Sequence, residues 1–146
     1  MSQREALVVA AWKYEPPYSF YDWTADPDDL AELLGKETRD EKYYSAISAE
    51  EELVGWFAFS DEENCVAVGL GLRPDLTGRG LGLAYLQAGL AFAIQRFTPH
   101  RFRLSVATFN ERAIRVYERA GFSPSRTFDH ATNGGIHPFL EMTRPA

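Results

Sequence analysis

Cysteine is almost absent: the 146-residue chain has one, Cys65. A single thiol cannot close an internal disulfide or build a zinc site by itself. Its neighbours Val66-Ala67-Val68 mark it as a small buried hydrophobe rather than a reactive thiol. No metal is expected. Long apolar runs are also missing, and none approaches the ~20 residues that span a bilayer. Met1-Ser2-Gln3-Arg4-Glu5 lacks the apolar core and small-residue cleavage site of a secretory signal. The expectation is a soluble, cytoplasmic protein with no membrane partner. Positive charge is in deficit, with 15 Lys and Arg against 21 Asp and Glu and a formal net charge of −6. A general nucleic-acid binder needs a positive surface to displace counterions, so no nucleic-acid partner is expected.

What is present describes a folded chain. Hydrophobic residues make up 45% and aromatics 14%, enough to bury one sizeable core in a single domain over residues 1–146. No internal repeat, low-complexity tract or linker breaks it.

Patterning predicts the elements. Ala6 to Trp12, rich in Val and Leu, reads as a first strand. Tyr14-Glu15-Pro16-Pro17-Tyr18-Ser19-Phe20-Tyr21-Asp22-Trp23 follows, and its prolines exclude a regular helix or central strand. So many aromatics in a loop imply that it packs on something or lines something. Asp26-Pro27-Asp28-Asp29 reads as a helix start, its acids complementing the helix dipole, with Gly35 as the stop. Lys42–Ile47, Leu53–Phe59 and Val66–Leu72 read as strands. In the second, Trp56 and Ala58 face opposite to Phe57 and Phe59. Leu83, Leu86, Leu90 and Ile94 mark a long helix over Leu81–Phe97. A strand over Phe102–Ala107 and a helix over Asn110–Arg119 follow, the helix stopped by Gly121. Ser125–Ala131 and His137–Thr143 form a hairpin around Asn133-Gly134-Gly135. Three consecutive strands exclude a simple βαβ repeat, so the class is mixed α/β with a partly antiparallel sheet.

The segment Thr77-Gly78-Arg79-Gly80-Leu81-Gly82 lies between a strand and the long helix. A glycine-rich turn in that position is an anion trap. Free N–H groups and the helix dipole favour negative charge, alternate glycines admit phosphate oxygens, and Arg79 adds a cation. A P-loop would need Lys-Ser/Thr after its second glycine, where Leu81 and Gly82 stand. The dinucleotide spacing G-x-G-x-x-G fails from Gly78, where Leu83 ends it, and from Gly80, where Tyr85 does. A plain strand-to-helix turn with packing glycines is the alternative at this point.

The later segment narrows the choice. The loop, taken with Arg73-Pro74 and with Asn110, Ala113, Tyr117, Gly121 and Phe122, resembles the GCN5-related N-acetyltransferase (GNAT) superfamily. The family's loop pattern is Q/R-x-x-G-x-G/A. Its later signature, N-x-x-A-x-x-x-Y-x-x-x-G-F, is filled at every named position. Thr77 departs from the pattern, standing where Gln or Arg is usual, which puts one side-chain contact in doubt.

The resemblance implies a three-layer fold: a mixed, mostly antiparallel central sheet of about seven strands, flanked by helices, with splayed central strands. It implies acetyl-coenzyme A as acyl donor, and a small-molecule or peptide amine as acceptor. The backbone of Leu70, Gly71 and Leu72 would pair with the pantetheine arm. Thr77, Gly78, Arg79, Gly80, Leu81 and Gly82 would hold the pyrophosphate, and Asn110 would meet the arm or the thioester. The Leu72 N–H would stabilise the oxyanion formed when the amine attacks. Tyr117, near the sulfur, would protonate the departing thiolate. The region Leu104–Phe109, before Asn110, carries no carboxylate for a base, which leaves Glu15, Asp22, His130 and His137 as candidates. The acceptor would lie between Tyr14–Trp23 and Asp129–Phe139. Hairpin-mediated homodimers occur in this fold, so a homodimer is expected by analogy. The rival reading is a non-catalytic acyl-coenzyme A-binding or sensor domain, which would have no use for an acid near the sulfur.

Overall fold

The N-terminal apolar run is a helix, not the strand that its Val and Leu content predicts. A computed structural model describes residues 1–146, and in it helix α1 spans Gln3–Ala10. Ser2 starts it with a reciprocal capping box. Its hydroxyl accepts the Glu5 N–H (3.1 Å), and the Glu5 carboxylate accepts the Ser2 N–H (2.8 Å). Ala6, Val9 and Ala10 are buried while Leu7 and Val8 are exposed. That stripe has helical, not strand, period.

Residues 12 to 26 carry two short 3-10 turns, Tyr18–Tyr21 and Trp23–Ala25. Helix α2 (Pro27–Leu34) is capped by Asp26, which accepts the N–H groups of Asp28 (2.9 Å) and Asp29 (3.3 Å). Gly35 ends α2 as expected, but a further helix, α3 (Lys36–Lys42), follows directly. The buried Arg39 of α3 explains the tight pair. Its guanidinium donates to the carbonyls of Leu33 (3.1 Å), Leu34 (3.2 Å) and Met1 (3.2 Å), which satisfies the end of α2.

The remaining elements are β1 (Tyr43–Ile47), β2 (Leu53–Glu62), β3 (Cys65–Leu72), α4 (Gly82–Phe97), β4 (Arg101–Ala107), α5 (Glu111–Arg119), β5 (Ser123–Thr132) and β6 (Gly135–Pro145). They form one six-stranded sheet in the order β1-β2-β3-β4-β6-β5. The expected seventh strand is α1. Neighbours are antiparallel except β3 and β4.

Both faces of the sheet are covered, giving three layers. Phe57, Phe59, Val66, Leu86, Leu90, Phe102 and Phe122 belong to the larger core, beneath α4 and α5. Ala6, Val9, Trp23, Leu33, Tyr43 and Ala58 form the smaller one, beneath α1 and α2. The alternation along β2 therefore feeds two cores. Gly89 of α4 makes room for Phe57, whose ring would lie 2.2 Å from an added Cβ.

One departure from a regular sheet positions the site. The parallel pairing of β3 with β4 covers only Cys65–Ala67 against Arg101–Arg103. Beyond it β3 continues along β2 to Leu72, and β4 continues along β6 to Ala107. The two central strands splay apart.

Candidate active site

A cleft of about 470 Å³ fills the splay. Val68–Leu72 line one wall, Leu104, Ser105 and Val106 the other, with the glycine loop at one end. The backbone of β3 is available to it. Arg73 N–H donates to the Val54 carbonyl (2.8 Å), which makes Arg73 and Val54 a hydrogen-bonded pair. Leu72 lies opposite Gly55 and Leu70 opposite Phe57. In an antiparallel ladder these intervening residues turn their N–H and C=O away from the partner strand. Leu70 and Leu72 thus point toward β4, while Gly71 points back to β2. The Leu72 carbonyl accepts the Tyr14 hydroxyl (2.6 Å). The Gly71 carbonyl accepts the Tyr85 hydroxyl (3.0 Å).

At the loop, Gly78 and Gly80 have φ of +73° and +75°, a region that costs an L-residue roughly 1–2 kcal/mol. The first bond of α4 runs from Tyr85 N–H to the Leu81 carbonyl (3.0 Å), so the N–H groups of Gly82, Leu83 and Ala84 precede the helical ladder. This cradle fits a pyrophosphate. Thr77 turns inward: its hydroxyl (2.7 Å) and its N–H (3.3 Å) both donate to the Pro74 carbonyl. Arg79 is exposed at the loop tip.

Arg112 was not singled out by its sequence position, yet it reaches the same loop. An added Cβ on Gly78 would lie 3.5 Å from its Nη1, and its guanidinium carbon lies 4.0 Å from the Tyr18 ring centroid. No spacing rule pairs residue 112 with residue 78; the approach of α5 to the loop creates the contact.

Asn110 is buried as the N-cap of α5. Its Oδ1 accepts the Ala113 N–H (3.1 Å), and its Nδ2 donates to the Tyr21 hydroxyl (3.3 Å). Tyr117, two turns further along, lines the cleft. Burial, then the neighbouring Tyr21, hold its phenol proton far more tightly than usual.

The aromatic loop closes the other side of the cleft. Tyr14, Tyr18, Phe20, Tyr21, Asp22 and Trp23 all line the cleft. Asn133 of the hairpin donates its amide to the Phe20 carbonyl (2.7 Å), joining the two segments expected to hold the acceptor. The four suggested bases separate. Asp22 and His130 line the cleft, and Asp22 accepts the Tyr14 N–H (2.9 Å). Glu15 lies in a neighbouring groove with Lys13, Asp75 and Arg112. His137 packs edge-on to Phe20, with centroids 5.0 Å apart. The structure adds Asp29, a cleft-lining residue that the sequence presents only as a helix-start acid. Desolvation, then the negative neighbours Asp26 and Glu32, raise its carboxyl above the usual range, and His130 opposes them.

The acetyltransferase (GNAT) family matches residues 6–122. The chain belongs to that family. A mycothiol acetyltransferase of Propionibacterium freudenreichii subsp. shermanii is 43% identical over 54 residues, which is 37% of this chain and 17% of that protein. The match thus spans less than a fifth of that relative. Among solved structures, a chimera of the Vibrio cholerae spermidine N-acetyltransferase SpeG with hSSAT superposes with a TM-score of 0.76 at 18% identity, covering 99% of this chain and 92% of that one. A dodecameric spermidine N-acetyltransferase from Vibrio cholerae gives 0.71 at 18%, covering 99% and 90%. At that identity the likeness establishes the fold: the GNAT three-layer architecture with six strands in the sheet. No helix is long and apolar enough to cross a membrane.

Proposed function

We propose that this GNAT domain transfers the acetyl group of acetyl-coenzyme A to a primary amine on a small molecule or peptide. The observation that carries the reading is the splay of β3 from β4, which opens beside the Thr77–Gly82 loop. Chain, loop and cleft then have the linear order of an extended thioester with a pyrophosphate at one end.

Gly78, Gly80 and the first amides of α4 hold the pyrophosphate, with Arg79 and Arg112 adding positive charge. The pantetheine arm pairs with the cleft-facing backbone at Leu70 and Leu72, and Asn110 orients its inner end. Leu72 N–H, with Leu70 N–H turned the same way, is the donor for the developing oxyanion. A neutral amine attacks the thioester carbon, and Tyr117 delivers a proton to the departing sulfur.

The acceptor enters from the aromatic side. Tyr18, Phe20, Tyr21 and Trp23 suit an amine-bearing apolar or cationic molecule. Asp29, whose carboxyl binds its proton more tightly than usual, is the candidate to take a proton from an ammonium. The spermidine N-acetyltransferases of the same fold act on an amine of this kind, which makes polyamines the first acceptors to try. Assembly is proposed as a homodimer through the C-terminal hairpin, where edge strand β5 and the exposed Ile136 lie.

The test is release of free coenzyme A from acetyl-coenzyme A with a panel of amines. Amine-dependent thiol release supports the reading. Tight acetyl-coenzyme A binding with no turnover on any amine would replace it with the acyl-coenzyme A sensor.

A further inference from the structure

Tyr21 belongs to the aromatic loop, but its hydroxyl does not simply line the acceptor side. The oxygen accepts two hydrogen bonds, from the Ala107 N–H (3.2 Å) and from the Asn110 amide (3.3 Å). Ala107 ends β4, and Asn110 begins α5. Both donors therefore sit where the splayed strand gives way to the helix that carries Tyr117. A phenol has one proton and acceptor capacity for two bonds. With both acceptor sites filled, the proton is the only part of the hydroxyl left to act, and no protein group takes it. The ring is held by Phe20 (centroids 5.3 Å) and Phe109 (6.0 Å). About a third of the residue, 36%, is exposed, at the cleft mouth.

Tyr117 has the opposite setting. Burial is the main reason its proton is held tightly, and its oxygen has no N–H partner. A phenolate formed there is unsupported, whereas one formed at Tyr21 meets two N–H donors already in place. Tyr21 is also raised, by burial first, but the bonds from Asn110 and Ala107 both oppose that rise, as nothing does at Tyr117.

We propose that Tyr21 is a second proton donor of the acetyl-transfer site, with the Ala107 N–H and the Asn110 amide forming a built-in hole for its phenolate. The inference rests on the N-acetyltransferase reading above. As the amine nitrogen bonds to the thioester carbon, the carbon–sulfur bond breaks and its electron pair goes to sulfur. On this route the Tyr21 proton, in place of the Tyr117 proton, moves to that sulfur and gives the free thiol. The phenolate then recovers a proton from the new amide nitrogen, which enters with one too many. Proton and charge balance without any further reactant. The titratable groups around Tyr21 are Tyr18 on its own turn and Tyr117 on α5, with Arg112 lying over Tyr18 and His137 beyond Phe20.

The experiment compares wild type, Tyr21→Phe and protein carrying a fluorinated tyrosine at position 21, using the best amine of the panel. Tyr21→Phe should lower kcat by about tenfold or more, with KM for acetyl-coenzyme A within about threefold. The fluorinated residue keeps the shape and both accepted bonds while making the phenol more acidic. It should move the basic limb of the kcat profile to lower pH. An unshifted limb, or a Tyr21→Phe kcat within about threefold of wild type, overturns the proposal. So does a defect confined to melting temperature and KM, because that is the mark of a structural tie. If Tyr21→Phe fails to fold, the fluorinated protein decides alone. Absence of turnover in wild type with every amine would instead defeat the acetyltransferase reading.

Discussion

Asp26 binds Asn133 across the fold. One carboxylate oxygen caps α2, and the other accepts the Asn133 N–H (3.0 Å) and the Thr132 hydroxyl (2.9 Å). A single acid thus fixes a helix start and a hairpin turn more than a hundred residues later, and with them both sides of the proposed acceptor opening. These bonds, the Asn133 N–H first, hold its carboxyl down to about 2. A lowered carboxyl stabilises the fold above its ordinary value of 3.8 and stops doing so as pH falls through 2. Asp26→Ala should therefore melt at lower temperature than wild type at pH 7, with the gap closing under acid. The same variant should raise KM for the amine while leaving acetyl-coenzyme A affinity unchanged. Thermal melts across pH and steady-state kinetics check both.

Gly80 tests the cradle. Its φ of +75° leaves space around an added Cβ, so the backbone angle alone penalises substitution. Gly80→Ala should cost roughly 1–2 kcal/mol if the loop keeps its shape, or should relax the loop and weaken acetyl-coenzyme A binding about tenfold. Calorimetric titration together with a denaturant melt distinguishes the two, and a variant unchanged in both would remove the loop from the site.

Arg112 should matter to the donor, not to the acceptor. Arg112→Ala should raise the acetyl-coenzyme A Kd about tenfold, the scale of one lost charge-assisted contact of ~1.4 kcal/mol. Added salt should shrink the difference, because screening already weakens the wild-type contact. Titrations at two ionic strengths measure it.

Asp29 should show stability and activity moving in opposite directions. Its raised carboxyl means the fold resists ionising it. The stability it allows is fully present below 3.8 and is lost as pH rises through the higher native value. Asp29→Asn should thus melt no lower than wild type at pH 7, and should lose any advantage below pH 3.8. As the proposed base, it should nevertheless lose kcat/KM for the amine by about a hundredfold. A full-activity variant would move the base to Asp22 or His130.

Much of this was legible in the chain because local rules and tertiary packing agree. Asn110, Ala113, Tyr117 and Gly121 fall where helix capping, periodicity and stopping place them, and the loop before α4 is the glycine turn between strand and helix that its sequence position implies. Helix α1 departs from the expected strand for a definite reason. Val and Leu content argues for a strand, while Ser2 and Glu5, three apart, form a capping box that outweighs it. Arg112, Tyr21 and Asp29 were beyond reach in a different way. Each makes its contact across the fold, to Gly78, to Asn110 or to the cleft, and no short spacing encodes such a contact.

The three-residue pairing of β3 with β4 has a mechanical consequence. The sheet is two plates, β1–β3 and β4–β6, joined along a seam only from Cys65–Arg101 to Ala67–Arg103. Near the seam the Asn64 carbonyl accepts the His100 N–H (2.8 Å), and Glu62 pairs with Arg103 (2.5 Å), like rivets at the closed end of a pair of shears. A ligand laid between the open blades becomes the missing strand. Filling the cleft should therefore stiffen the molecule as a whole, with each plate gaining a neighbour along the edge that the other has left.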